Sequence, residues 1–235
     1  MSNHVFTGLN EKYWDHFGSS WIYTLREVAK YQGEIIVVDC GLHGLSKKKI
    51  LEKGAKIITG SEANDIRIET IKQVSKYAKE NKGKFVYWDA DVFFEENIDK
   101  IFEEINEKIL LTENGNPGFI AGPHYQWAFV EDIMNFMQTA KQPITSPAVF
   151  KCLIDHFEKF IRHISNTWNF TGLSQIESKK LEIEGEKPKV IHPTGSLKPL
   201  LEGKGFLFHD RKNDGYLKFI DGKTVTLRKL IKKSV

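Results

Sequence analysis

Cysteine is scarce in this chain: Cys40 and Cys152 are the only two among 235 residues, far apart and outside any Cys-x-x-Cys spacing. That excludes a disulfide-stapled scaffold and a thiolate zinc site, and it fits a reducing compartment. A large excess of one charge is missing too, since 34 Lys and Arg stand against 31 Asp and Glu. A net charge of +3 supplies no electrostatic footprint for nucleic acid, so no nucleic-acid partner is expected. No apolar run approaches the ~20 residues that cross a bilayer, and Met1-Ser2-Asn3-His4 does not open a basic-then-apolar leader. We therefore expect a soluble, cytoplasmic protein. Internal repeats and low-complexity linkers are also lacking, so a single domain over residues 1–235 is expected, ending in a basic tail at about 223–235. There Arg228-Lys229-Leu230-Ile231-Lys232-Lys233 either solubilises the end of the chain or makes weak peripheral contact with an anionic membrane.

What is present is apolar material arranged in a repeating order. With 40% hydrophobic and 12% aromatic residues, the chain can bury one sizeable core. His4-Val5-Phe6-Thr7 reads as a strand, and Trp14, Phe17, Trp21, Leu25 and Val28 recur at helical spacing. Glu34 to Asp39 is a β-branched run suited to a strand buried on both faces, followed by a glycine turn and a short lysine-rich helix that Ser46 can cap. Ala55 to Ile58, Asn64 to Asn81 and Lys84 to Trp88 continue the pattern as strand, helix and strand. Beyond Asp91 the spacing predicts helices near Ile98 to Lys108, Trp127 to Met137 and Pro147 to Ile164, with a Gly/Pro-rich stretch from Asn114 to Pro123. Repeated β-α-β units with short links imply an α/β fold with a mainly parallel, Rossmann-like central sheet flanked by helices.

Two segments carry chemistry. In Phe85-Val86-Tyr87-Trp88-Asp89-Ala90-Asp91-Val92-Phe93-Phe94, two carboxylates interrupt an apolar run at the carboxyl end of a central strand, the edge where open α/β sheets bind ligands. Buried carboxylates need a cation or several donors, and these hard oxygen ligands suit Mg²⁺ or Mn²⁺. The plainer reading makes Asp89 and Asp91 helix caps or ion-pair partners. About a hundred residues later, Val190-Ile191-His192-Pro193-Thr194-Gly195-Ser196-Leu197-Lys198-Pro199 offers an imidazole, a flexible glycine and a cation close together. His192 can complete a mixed metal site, Gly195 lets backbone amides approach a phosphate, and Lys198 can neutralise a leaving diphosphate. A lone histidine at a strand end is also a common structural residue. The other candidates read as scaffold: Gly203-Lys204-Gly205 as a turn, His209-Asp210 as a surface pair, and Tyr125, Trp127 and Trp168 as packing rather than sugar-stacking aromatics.

Together the two segments resemble glycosyltransferases of the GT-A fold, and within them family 8, the group of glycogenin and bacterial lipopolysaccharide galactosyltransferases. The likeness rests on Asp89-Ala90-Asp91 and on His192-Pro193-Thr194-Gly195-Ser196-Leu197-Lys198-Pro199, similar to the family's His-x-x-Gly-x-x-Lys-Pro. It implies Mn²⁺ or Mg²⁺ on Asp89, Asp91 and His192, and a donor diphosphate against Gly195 and Lys198. More loosely, Phe6-Thr7-Gly8-Leu9-Asn10-Glu11-Lys12-Tyr13 stands where the family holds base and ribose, implying contacts from Thr7, Gly8, Asn10 and Tyr13. Leu173-Ser174-Gln175 is similar to the family's Asp-Gln segment, implying that Gln175 lies near the transferred sugar, with Ser174 in place of the aspartate. The implied activity is transfer of a hexose, from UDP-glucose or UDP-galactose, to a glycan, lipid-linked or protein acceptor with retention of configuration.

Two alternatives compete. Haloacid-dehalogenase-type phosphohydrolases also place Asp-x-Asp after an apolar strand, but near the first strand and before Thr, whereas Val92-Phe93-Phe94 follows here. A nucleotide-sugar binder without transferase activity is the other, motivated by Ser174.

Overall fold

The computed structural model describes residues 2–63, 65–139, 157–170 and 189–192, together with the backbone of three strands at 206–210, 216–219 and 224–226. Among the described residues, β1 (Ser2–Leu9), β2 (Glu34–Asp39), β3 (Lys56–Thr59), β4 (Gly83–Trp88), β6 (Ile109–Thr112), β7 (Phe119–Pro123) and β8 (Ile161–Ile164) form one seven-stranded sheet. Its order is β3-β2-β1-β4-β7-β6-β8. Pairing is parallel except at β7, which runs antiparallel to both β4 and β6. A two-stranded ladder joins β5 (Phe93–Phe94) to β9 (Val190–Ile191). Phe206–Asp210, Tyr216–Phe219 and Thr224–Thr226 form a separate antiparallel sheet, so the first residues of the expected tail pair as a strand.

Strands β1, β2, β4, β6 and β7 are mostly buried on both faces, and side chains divide by the two-residue alternation of a pleat. Val5, Val37, Val86 and Trp88 point into one core with Trp14, Trp21, Leu25 and Ile50. Phe6, Ile36, Phe85 and Tyr87 point into the other with Ile71, Val74, Trp127 and Met134. The first core is covered by a helical run, α-helical at α1 (Glu11–Tyr13) and α2 (Ser19–Tyr23) and π-helical at Trp14–Gly18 and Thr24–Val28, and by α3 (Gly44–Glu52). Extra residues in the π turns rotate the helix so that Trp14, Phe17, Trp21 and Leu25 all stay on the buried side. The second core is covered by α4 (Ile66–Glu80) and α6 (Trp127–Thr139), which pack on each other. A short α5 (Asp99–Glu104) leads into β6.

Three expectations need correction. Phe119–Pro123 lies in a stretch that reads as loop, yet it is a fully buried strand, held between β4 and β6 by ladder hydrogen bonds. Ile161–Ile164 falls in an expected helix but is strand β8, pairing in parallel with Ile109–Thr112; pairing along the sheet edge overrides the helical spacing. The rest of that expected helix lies largely outside the described residues. Ser46 sits inside α3 and does not cap it: the cap position is His43, whose backbone N–H is accepted by Glu11 Oε2 at 2.8 Å, while the Ser46 hydroxyl donates to Glu11 Oε1 at 2.7 Å.

This order places a topological switch beside β1, because β2 follows on one flank and β4 on the other. The crevice at the carboxyl ends of β1 and β4 is therefore where the fold leaves room for a ligand.

Candidate metal centre

Asp89 leaves the carboxyl end of β4 into that crevice. Its backbone is pinned from two directions: the amide donates to the Gly118 carbonyl at 2.9 Å, and the carbonyl accepts from the Trp21 indole at 3.0 Å. Two residues on, Asp91 lies in the turn that leads to Phe93–Phe94, which pair antiparallel with Val190–Ile191. In that register Phe93 faces Ile191, so the next residue along, His192, arrives beside the aspartates although it is a hundred positions distant in sequence.

The His192 Nε2 atom lies 3.3 Å from Asp91 Oδ1 and 3.7 Å from Asp89 Oδ2. One ligand atom from each of the three residues can be chosen so that all lie within 4.8 Å of one another. Asp91 is 1% exposed and His192 4%, so these two are nearly closed to water, while Asp89 is partly exposed. Two carboxylates that converge in such a place repel each other unless positive charge stands between or beside them. Two hard oxygen donors with one imidazole nitrogen match a Mg²⁺ or Mn²⁺ ion, so the donor set fits the cation expected from the sequence.

Part of the compensating charge is already present. Arg67, in the first turn of α4, donates from Nε to Asp89 Oδ1 at 3.2 Å and from its terminal nitrogen to Oδ2 at 2.5 Å. The Tyr87 hydroxyl donates to the same carboxylate. Burial alone would weaken the guanidinium's hold on its proton, but the Asp89 charge prevails and raises its affinity. Burial, then the neighbouring Asp89, pushes the Tyr87 phenol well above its ordinary range, keeping it a donor. The ion-pair reading of Asp89 is thus correct as far as Arg67 goes, and it coexists with the three-residue group.

The other expected contacts lie at the end of β1, just after it, or outside the described residues. Thr7 is fully buried in β1, and its hydroxyl has no hydrogen-bond partner among the described residues. Gly8 lies beneath α4, where an added Cβ would fall 1.8 Å from Thr70 Oγ1. Asn10 caps the first helical turn by accepting from the Tyr13 amide at 2.9 Å. It also lines a cleft of about 440 Å³ with Lys12, Cys40, Gly41 and Glu62, at the carboxyl ends of β1 and β2. Trp127 and Trp168 are buried, as packing predicts, while Tyr125 is exposed. Gln175, Gly195 and Lys198 lie outside the described residues.

Arg67, Tyr87 and Gly118 are missed by sequence reasoning. The start of α4 is legible from Asp65, which accepts from the Arg67 and Ile68 amides, but nothing local reports that the Arg67 side chain reaches a strand twenty residues later.

No protein-family model matches the chain, and no curated protein sequence matches it significantly. Solved structures do. The apo form of the glycosyltransferase GlyE of Streptococcus pneumoniae TIGR4 superposes with a TM-score of 0.61 at 12% identity, over 85% of this chain and 56% of that one. The bifunctional glycosyltransferase WbbM gives 0.58 at 12%, over 83% and 46%. The galactosyltransferase LgtC, in complex with donor and acceptor sugar analogs, gives 0.58 at 11%, over 83% and 88%. The chain therefore spans about half the length of the GlyE and WbbM structures and most of that of LgtC. At these identities the likeness establishes the fold, the mainly parallel sheet of GT-A glycosyltransferases.

Proposed function

We propose that this chain is a metal-dependent glycosyltransferase, binding a nucleotide-diphosphate sugar at the carboxyl edge of the sheet and passing its hexose to a carbohydrate, lipid-linked or protein acceptor. The observation that carries this reading is the convergence of Asp89, Asp91 and His192 at the topological switch of a fold shared with glycosyltransferases. LgtC holds donor and acceptor sugar analogs, and we extend that ligand class to this chain.

Asp89, Asp91 and His192 would hold the ion, which when bound supplies fixed positive charge for a departing nucleoside diphosphate. Arg67 keeps the Asp89 carboxylate in one orientation through two hydrogen bonds. The Trp21 and Gly118 contacts hold the backbone beneath it, so the carboxylate does not have to be reoriented on binding. The cleft bordered by Asn10 and Gly41 receives the nucleoside, uridine in our reading, and Thr7, Gly8 and Tyr13 are further contacts that the family resemblance implies. Gly195 and Lys198 contact the diphosphate and Gln175 the sugar, with glucose and galactose the first to try and retention the expected outcome. Asp89, held by Arg67 and Tyr87, is a poor covalent nucleophile, which weighs against the phosphohydrolase alternative. Weak peripheral membrane contact through the basic tail completes the proposal.

Isothermal titration of UDP, UDP-glucose and UDP-galactose into the protein, with Mn²⁺ or with EDTA, tests the reading. Binding should require Mn²⁺ and disappear in Asp91→Ala. Affinity indifferent to both would remove the reading. Metal-dependent binding with neither sugar transfer nor slow donor hydrolysis would assign the non-catalytic alternative.

A further inference from the structure

His192 has two ring nitrogens, and only one can face the aspartates. The other, Nδ1, lies 3.0 Å from the Oδ1 atom of Asn169, a residue with no solvent exposure. Which end of that amide faces the ring follows from its other partner. Asn169 Nδ2 points to the Asn116 backbone carbonyl at 3.4 Å, and a carbonyl only accepts. The amide nitrogen therefore belongs on the Asn116 side and the amide oxygen on the histidine side. An oxygen acceptor beside Nδ1 calls for a proton on Nδ1, which leaves Nε2, the atom that faces Asp89 and Asp91, as the ring nitrogen able to ligate an ion.

Asn169 is itself locked. Its backbone carbonyl accepts from Asn114 Nδ2 at 3.1 Å, and the Asn114 amide donates to Asn166 Oδ1 at 2.8 Å, tying the loop after β6 to the segment before β9. The imidazole lies directly on the backbone of Gly118, where a Cβ would fall 2.3 Å from its Cε1 atom. The ring is thus held on one face by a residue without a side chain and at its edge by a directional acceptor.

We infer that Asn169 is a positioning residue for the metal centre: it accepts the Nδ1–H of His192, holds the ring in one orientation and so turns Nε2 toward Asp89 and Asp91 as the ligating nitrogen. The inference rests on the metal-site reading above, yet the contact between Nδ1 and Asn169 is itself a property of the metal-free chain. An outer partner of this kind typically accounts for 10–100-fold in metal affinity.

The test compares the full chain with Asn169→Leu, which loses the acceptor, and Asn169→Asp, which keeps an oxygen there. Long-range ¹⁵N–¹H spectra report whether Nδ1 of His192 carries a proton, with His192 assigned by its loss in His192→Gln. Binding of Mn²⁺ alone is followed by its paramagnetic resonance signal. The unsubstituted chain should show Nδ1–H at His192. Asn169→Leu should lose that Nδ1–H signal and bind Mn²⁺ about 10–100-fold more weakly, while Asn169→Asp keeps both the signal and most of the affinity. An Nδ1 without a proton at His192 in the unsubstituted chain, or a leucine variant with unchanged Nδ1–H signal and affinity, would overturn the role. Should the leucine variant fail to fold, the unsubstituted chain and the aspartate variant still decide. Failure of the unsubstituted chain to bind Mn²⁺ would defeat the metal reading, while the Nδ1–H comparison would still decide what Asn169 does to His192.

Discussion

Arg67 and Asp89 form a largely buried ion pair whose side chains are 16% and 12% exposed. Removing one partner of such a pair leaves the other charge stranded, a loss of about 3 kcal/mol. Arg67→Ala should therefore lower stability to urea by about that amount in metal-free protein. Added Mn²⁺ should restore more stability to the variant than to the unsubstituted chain, because the ion supplies the missing positive charge; equal gains would mean that Asp89 is not a ligand. Gly118 makes a separate prediction. A methyl group there would collide with the His192 ring at Cε1 and at Nδ1, 2.3 and 2.6 Å away, and with Asn116 Oδ1 at 2.8 Å. Gly118→Ala should weaken Mn²⁺ binding by about tenfold or more, read by calorimetry, even though alanine is small and apolar.

At the scale of elements, the amino ends of β1, β2 and β3 are joined by a polar network on the edge opposite the metal centre. His4 Nδ1 and the Tyr77 hydroxyl both approach Glu34 Oε2, at 2.7 and 2.9 Å, and Lys56 donates to the Tyr77 hydroxyl at 3.1 Å. The His4 ring stacks on Phe85, centroids 4.6 Å apart. Burial lowers its affinity for a proton below the ordinary imidazole value of 6.5, despite the opposing pull of Glu34. The unfolded chain therefore takes up this proton first on acidification. Stability contributed by neutral His4 is complete above the ordinary value and is lost as pH falls through it toward the lowered one. Thermal melts between about pH 7 and 5 should show a decline that is shallower in His4→Gln. The elements in this half of the fold are legible in the sequence because β-branched runs alternate with helical spacing between clear glycine and asparagine turns. The antiparallel half is less so. Asn, Gly and Pro before Phe119 and the Gly-Pro that ends β7 look like a loop, and only the partners on either side make the stretch a strand. The aspartates and His192 are recognisable from their chemistry, whereas Arg67 and Asn169 become visible only once α4 and the segment before β9 are placed in space.

For the whole molecule, the metal centre is a seam. It draws on the end of β4 and on the residue after β9, and the ladder between β5 and β9 is only two residue pairs long. An ion bound there would tie the two stretches together and favour the folded state by mass action. At a hundred times its dissociation constant the gain is about 2.7 kcal/mol, or roughly 5–10 °C in melting temperature for a chain of this size. Mn²⁺ should raise the melting temperature on that scale, slow amide exchange at Val190 and Ile191, and do neither in Asp91→Ala. All five tryptophans are buried, and the indole of Trp21 donates its proton to the carbonyl of Asp89 itself. Trp88 is the preceding residue in the chain. The protein thus carries its own optical probe: occupancy of the site by a paramagnetic ion should quench native fluorescence without any label, and Trp21→Phe should remove a defined share of that quenching.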